Sequence, residues 1–246
     1  MVEKIKDNNT QNKEKGEVLT PIHIIPSSVT LLNGISGLFS IYFSFNGLYF
    51  LAILFIFVGF FADTFDGPIA RRLNATSKFG AELDSMCDII SFGVAPFMLL
   101  LAINPFYVVI AFGYVTCAII RLARFGAIPS PPYRHLGLAS PMAAIWVAAS
   151  VGISTYFPPT WVIVFIFIIT IASTILMVCP REYHKILAAS TYRNRVMDWI
   201  FWLSTGFILI LWPLFNYEFI FIFIVWLVSI TYVVFLGAPF LKWNEE

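Results

Sequence analysis

The sequence predicts an all-α integral membrane protein of about eight transmembrane helices, with both termini on the cytoplasmic side. Three observations predict it. The 246 residues are 59% hydrophobic and 12% charged, where a soluble domain carries about 25% charge, and mean hydropathy is +0.85. Apolar segments recur along the chain, each near the roughly 20 residues that a bilayer demands. All 15 Lys and Arg fall at the termini or at alternate joins between those segments, the pattern of a single cytoplasmic face. So large an apolar mass excludes a monotopic anchor.

Residues 1–25 read as a polar cytoplasmic tail. KDNNTQNKEKGE is too polar to fold alone, and it lacks the apolar core of a cleavable signal peptide. TPIHIIPSS is expected to lie along the membrane interface, with Pro26 marking the turn into the first span. Residues 26–246 form the transmembrane domain. Its spans are placed at roughly 28–44, 47–65, 81–102, 105–123, 138–157, 160–178, 198–215 and 218–237. The joins around Phe45, Asn104, Pro158 and Tyr217 are short and nearly uncharged. The others are basic: Arg71, Arg72 and Lys78, then Arg121, Arg124 and Arg134, then Arg181, Lys185, Arg193 and Arg195. Dropping one span would scatter these charges over both faces. The seventh span, starting near Asp198, is the least firmly bounded. There is no internal repeat. Cys87, Cys117 and Cys179 show no CxxC spacing, so neither a disulfide framework nor a zinc site is expected.

Against this apolar background stand Asp63, Asp66, Asp84 and Asp88, in the cytoplasmic halves of the second and third spans. An ionisable residue at the centre of a membrane helix costs roughly 2.5–3.5 kcal/mol on insertion scales, so a compensating partner is required. Asp63 and Asp66 are three apart, and Asp84 and Asp88 four apart, so on helices each pair shares a face. Two such faces turned together would repel unless cations lay between them. Hard divalent ions, Mg²⁺ or Mn²⁺, suit an all-carboxylate site. Two of them roughly 3.5–4 Å apart form a clamp for phosphoryl transfer. Without metal, the same residues would read as an ion pathway. That reading calls for broken helices or a repeat, and charge confined to one side argues against it.

The join between these spans holds further candidates. Gly67 and Ala70 remove bulk beside Asp66, and Gly80 permits another close approach. Arg71 offers bidentate contacts to phosphate oxygens, and Ser77 and Lys78 add donors. Arg71, Arg72 and Lys78 also fit plain positive-inside anchors. Arg121 and Arg124 share a face at the cytoplasmic end of the fourth span. They are candidates for holding an acceptor carboxylate or a reacting phosphate. His135 in the following loop reads as solvated.

The spacing D-x2-D-G-x2-A-R-x8-G-x3-D-x3-D, at Asp63, Asp66, Gly67, Ala70, Arg71, Gly80, Asp84 and Asp88, resembles the signature of the CDP-alcohol phosphotransferase family without a departure. The resemblance implies a six-helix membrane core. It implies transfer of a phosphoryl-alcohol group from a CDP-activated donor to a hydroxyl, with release of CMP. It also implies two divalent metals held by the four aspartates, with Asp88 serving besides as general base. IPSSVTLLNG, IISFGVAPF, RLARF and GLASPMAA resemble the phosphatidylserine synthase branch over roughly residues 25–145. Ser27 and Ala139 depart from it, where Asn and Pro are usual.

The resemblance thus implies a CDP-diacylglycerol-type lipid and L-serine as substrates. The lipid would be met by Thr30, Asn33, Gly67, Ala70, Arg71, Ser77, Lys78 and Gly80. Membrane lipids and a second copy of the chain, as a homodimer, are the other expected partners; no nucleic acid is. An inositol phosphate or glycerol phosphate acceptor is the same-fold alternative.

Overall fold

A computed structural model describes residues 21–127, 134–154, 159–179 and 182–184. Helix α1 (Ile24–Phe45) follows a 3₁₀ turn at Pro21–His23, and α2 is Tyr49–Arg72. The third span is one continuous rod in three parts: α3 (Lys78–Asp88), a π-helical segment (Ile89–Val94) and α4 (Ala95–Ile103). After a 3₁₀ turn at Pro105–Tyr107 come α5 (Val108–Ala127), α6 (Ser140–Ser154) and α7 (Pro159–Val178). The first six predicted spans are therefore helices. Five of them are long and apolar enough to cross a membrane; Ser140–Gly152 is shorter. The seventh and eighth predicted spans lie outside the described residues.

α1 is polar on its buried face and apolar on its exposed one. Thr30, Asn33, Gly34, Ser36, Gly37, Ser40 and Ser44 are buried, while Leu31, Leu32, Ile35, Leu38, Phe39 and Tyr42 are exposed. This inverts a soluble amphipathic helix. Lipid solvates the large side chains, and small residues let neighbouring helices close in. A Cβ on Gly37 would lie 2.5 Å from Ser91 Oγ, and one on Gly59 of α2 would lie 2.7 Å from Ser36 Oγ. α1 is thereby wedged between α2 and the third span. α6 is buried on nearly every side, with Ala143, Ala144, Ala148, Ala149 and Val151 fully covered. It packs against α2, α4, the π segment and α7.

Two boundaries differ from the sequence reading. α1 already includes residues 24–28, so the end of that stretch is helical and continuous with the first span. Pro26 falls in the first turn, where its missing N–H has no intrahelical partner in any case. α2 continues past residue 65 to Arg72 and carries Pro68 inside it. It ends in a Schellman-type turn: Asn74 is left-handed at φ 50°, and the Ala75 N–H donates to the Ala70 carbonyl at 2.9 Å. Ser77 then caps α3, its Oγ accepting from the Gly80 N–H at 2.9 Å. The join is thus only Leu73–Ser77, tied at both ends, and Lys78 belongs to α3.

The all-helical expectation gains one addition. β1 (Arg134–Leu136) pairs antiparallel with β2 (Glu182–His184), Arg134 opposite His184 and Leu136 opposite Glu182. The Leu138 N–H donates to the Leu176 carbonyl at 2.9 Å, which ties the segment after β1 to the end of α7. Periodicity over three residues is too short to announce such a pair.

Candidate active site

α2 and α3 run to and from one short, capped join, so their facing sides stay in register beside α1. Among the described residues, carboxylate oxygens of Asp63, Asp66 and Asp84 lie within 4.8 Å of one another. Asp66 and Asp88 are buried. Asp63 faces Asp88 and Asp66 faces Asp84 at hydrogen-bonding range. The four predicted aspartates therefore form one cluster. Pro68, two residues after Asp66, withholds the N–H that the Thr64 carbonyl would otherwise receive, loosening α2 beside the cluster.

α1 supplies two donors to these acids. Thr30 Oγ1 donates to Asp66 Oδ2 at 2.8 Å, and Asn33 Nδ2 donates to Asp88 Oδ1 at 2.9 Å. Ser36 and Ser91 hydroxyls both donate to the Asn33 carbonyl, at 2.6 and 2.7 Å. Arg71 acts electrostatically on Asp66, and Arg121 on Asp63. Among the described residues, no hydrogen-bond donor reaches the buried Asp84 Oδ1. Buried acceptors are normally satisfied, and an unpaired one inside a carboxylate cluster is what a cation would meet. Oxygen donors alone suit a hard divalent ion. The cluster is able to hold such a metal.

A cavity of about 180 Å³ opens beside the acids. Thr30, Asp66, Gly67, Ala70, Arg71, Ser77, Gly80 and Asp84 line it, joined by Pro26, Ser27, Ala75, Thr76 and Ala81. Gly67 lies beneath the Arg71 guanidinium: a Cβ there would meet Nη1 at 3.5 Å. Asn33 and Lys78 are not among the lining residues. Asn33 turns to Asp88 instead, and Lys78 is exposed at the start of α3. Sequence reasoning missed Thr76 as a lining residue. Ser27 was legible only as a departure from a motif.

The two candidate arginines separate. Arg121 is buried, donates to Ser140 Oγ at 2.6 Å and lies toward Asp63. Arg124 is half-buried and donates to the Val178 carbonyl at 3.0 Å, at the end of α7. A guanidinium there complements the exposed carbonyls of a helix C-terminus.

The family model of CDP-alcohol phosphatidyltransferases matches residues 23–151, just over half of the chain. This protein belongs to that family. The CDP-diacylglycerol–serine O-phosphatidyltransferase of Bacillus subtilis is 39% identical over 129 residues, covering 50% of this chain and 73% of the relative. The enzyme of that name from Methanocaldococcus jannaschii is 34% identical, covering 73% of this chain and 80% of its own. In the Helicobacter pylori strain J99 enzyme of the same name, the match spans 59% of the relative's length at 34% identity. The apo crystal structure of Mycobacterium tuberculosis phosphatidylinositol phosphate synthase superposes with a TM-score of 0.50 at 25% identity, over 65% of this chain and 92% of that one. The matched family region spans α1 to α6 and so contains every residue of the carboxylate cluster. The six helices over residues 21–178 are consistent with the core that the signature implied.

Proposed function

We propose that this family member transfers a phosphatidyl (or archaetidyl) group from a CDP-activated lipid to the hydroxyl of L-serine and releases CMP. The observation that carries the reading is the convergence of the Asp63, Asp66 and Asp84 oxygens within 4.8 Å, beside a cavity that Arg71 and Ser77 also line. Relatives named for serine transfer support the acceptor.

Asp63, Asp66, Asp84 and Asp88 would hold two divalent ions, Mg²⁺ or Mn²⁺. Bound there, the metals would neutralise charge on the diphosphate and on the departing CMP. Thr30 keeps Asp66 oriented. Gly67, Ala70 and Gly80 leave room for a flat group, and Arg71 and Ser77 offer donors to phosphate oxygens. Lys78 at the rim adds positive charge. Asn33 donates to Oδ1 of Asp88, and the Asp88 carboxylate, which also faces Asp63, takes the serine hydroxyl proton. The serine oxygen then attacks the β-phosphorus in line, and the electron pair of the broken P–O bond leaves with CMP.

Arg121 is the better placed of the two arginines to hold the serine carboxylate or the lipid phosphate; Arg124 braces α7. Loss of a charge-assisted hydrogen bond costs roughly 1.5–3 kcal/mol. Arg121→Ala is therefore expected to lower kcat/KM for serine by ~10- to 150-fold, with little change in the apparent affinity for CDP-lipid. The experiment is a radiolabelled acceptor panel: purified protein, CDP-diacylglycerol, Mg²⁺ or Mn²⁺, and serine, glycerol 3-phosphate or inositol phosphate in turn. CMP release with serine alone is the expected result. Transfer to inositol phosphate instead would establish the second reading, which the likeness to a phosphatidylinositol phosphate synthase favours. Such acceptors carry a phosphate and call for more basic side chains at the pocket than Arg121 alone.

The site is read as opening to the cytoplasm, because Arg71, Arg72, Lys78, Arg121 and Arg124 stand at the helix ends beside it. Thr76 is exposed in the join. With Cys87, Cys117 and Cys179 changed to Ser, a Thr76→Cys variant should resist an impermeant maleimide in intact cells and react in inverted vesicles. Labelling in intact cells would reverse the orientation.

A further inference from the structure

The π-helical segment after Asp88 has a cause in its sequence. Pro96 lies four residues after Phe92, so it offers no N–H to the Phe92 carbonyl, and its ring crowds that oxygen. Regular α-helix would leave a buried carbonyl without a donor at membrane depth, where water cannot help. The chain takes a wider turn instead, with the Ala95 N–H reaching back to the Ile90 carbonyl. The Phe92 carbonyl is met from outside: the Tyr114 hydroxyl of α5 donates to it at 2.9 Å. Phe92 and Tyr114 are both 0% exposed.

The opposite flank is held by α1. Ser91 Oγ donates to the Asn33 carbonyl, and the Asn33 amide donates to Asp88 Oδ1. Gly37 brings α1 against the backbone of Ser91. The turn that immediately follows Asp88 is therefore gripped on one side by Asn33 and on the other by Tyr114. Each residue of helix contributes about 100° of rotation, so opening or closing a π turn swings the side chains before it around the axis. Asp88 is the last residue before the turn.

We propose that Tyr114, which is not among the cavity-lining residues, is a positioning residue for the reaction. Its bond to the Phe92 carbonyl fixes the π turn, and the turn fixes the direction in which the Asp88 carboxylate points. This rests on Asp88 being the base of the proposed transfer.

The test is Tyr114→Phe in the full chain, assayed with CDP-diacylglycerol, serine and Mn²⁺ beside the parent and Asp88→Asn. A displacement of about 1 Å at a reacting group can lower a rate by ~10²-fold. The expected result is kcat down by ~10- to 100-fold, with KM for CDP-diacylglycerol within about twofold of the parent, as for an interaction realised only in the transition state. Parent kcat in Tyr114→Phe, whatever its melting temperature, would leave Tyr114 a purely structural residue and overturn the proposal. If Tyr114→Phe does not fold, Pro96→Ala in the same chain gives Phe92 a main-chain donor in place of the hydroxyl. The turn can then close to α-helix, and kcat should stay low because Asp88 has rotated; parent kcat in that double variant overturns the proposal. Asp88→Asn separates the two readings. If it turns over normally, the site assignment and the proposal both fall. If it collapses while Tyr114→Phe does not, only the proposal falls.

Discussion

Asp88→Asn is expected to lower turnover by about 10²–10⁴-fold, the contribution of a positioned base, while CDP-lipid still binds. The substitution keeps the size of the side chain and one oxygen. It removes proton-accepting power at the point where Asn33 already holds the other oxygen. Asn33 donates through its amide nitrogen to Oδ1, and an asparagine at residue 88 can present its own carbonyl to that donor. The local hydrogen bond is thus preserved, and the variant should fold. Calorimetric titration of CDP-lipid in detergent with Mn²⁺, run beside turnover, gives the answer. Parent turnover would remove the base assignment. Loss of metal binding would leave Asp88 mainly a ligand.

Removal of metal should have an effect as large. Excess chelator is expected to abolish CMP release, and Mg²⁺ or Mn²⁺ to restore it. The reason is electrostatic. Four carboxylates converge, Arg71 acts on Asp66 and Arg121 on Asp63, and among the described residues Asp84 Oδ1 has no donor. Asp63→Asn and Asp66→Asn should each lose metal and nucleotide binding together. Both residues stand on α2 before the slot, and Asp66 lines the cavity directly. Full activity in excess chelator would sink the metal assignment.

Most of this site was legible because its spacing is local. Asp63 and Asp66 fall on one turn of α2, Asp84 and Asp88 on one turn of α3, and a short join obliges the two faces to meet. Charge placement likewise located the first six spans, since bilayer thickness sets their length. What escaped the sequence depends on contacts between distant segments. Nothing near Asn33 says that its amide will reach Asp88, 55 positions later. Arg121 and Arg124 look equivalent along α5; only the placement of α6 and α7 sends one to Ser140 and the other to the Val178 carbonyl. The extension of α2 past residue 65 was hidden because the apolar run gives way there to Asp66, Arg71 and Arg72, and hydropathy marks a span by its apolar length alone.

The inverted face of α1 bears on how the protein is made. Synthesis runs from the N-terminus, so α1 enters the bilayer before α2 and α3 exist. Its mean hydropathy, 1.5, is the lowest of the five long helices. Most of its polar side chains need no help while it waits: Thr30 and Ser44 can donate to the carbonyls of Pro26 and Ser40, and Ser36 to that of Asn33, all within the helix itself. The Asn33 amide instead reaches across to Asp88, which arrives only with the third span. Each is poorly suited to lipid alone and is satisfied by the other. If Asp88 is the base proposed above, the pair that orients it also ties the first span to the third, 55 positions later in the chain.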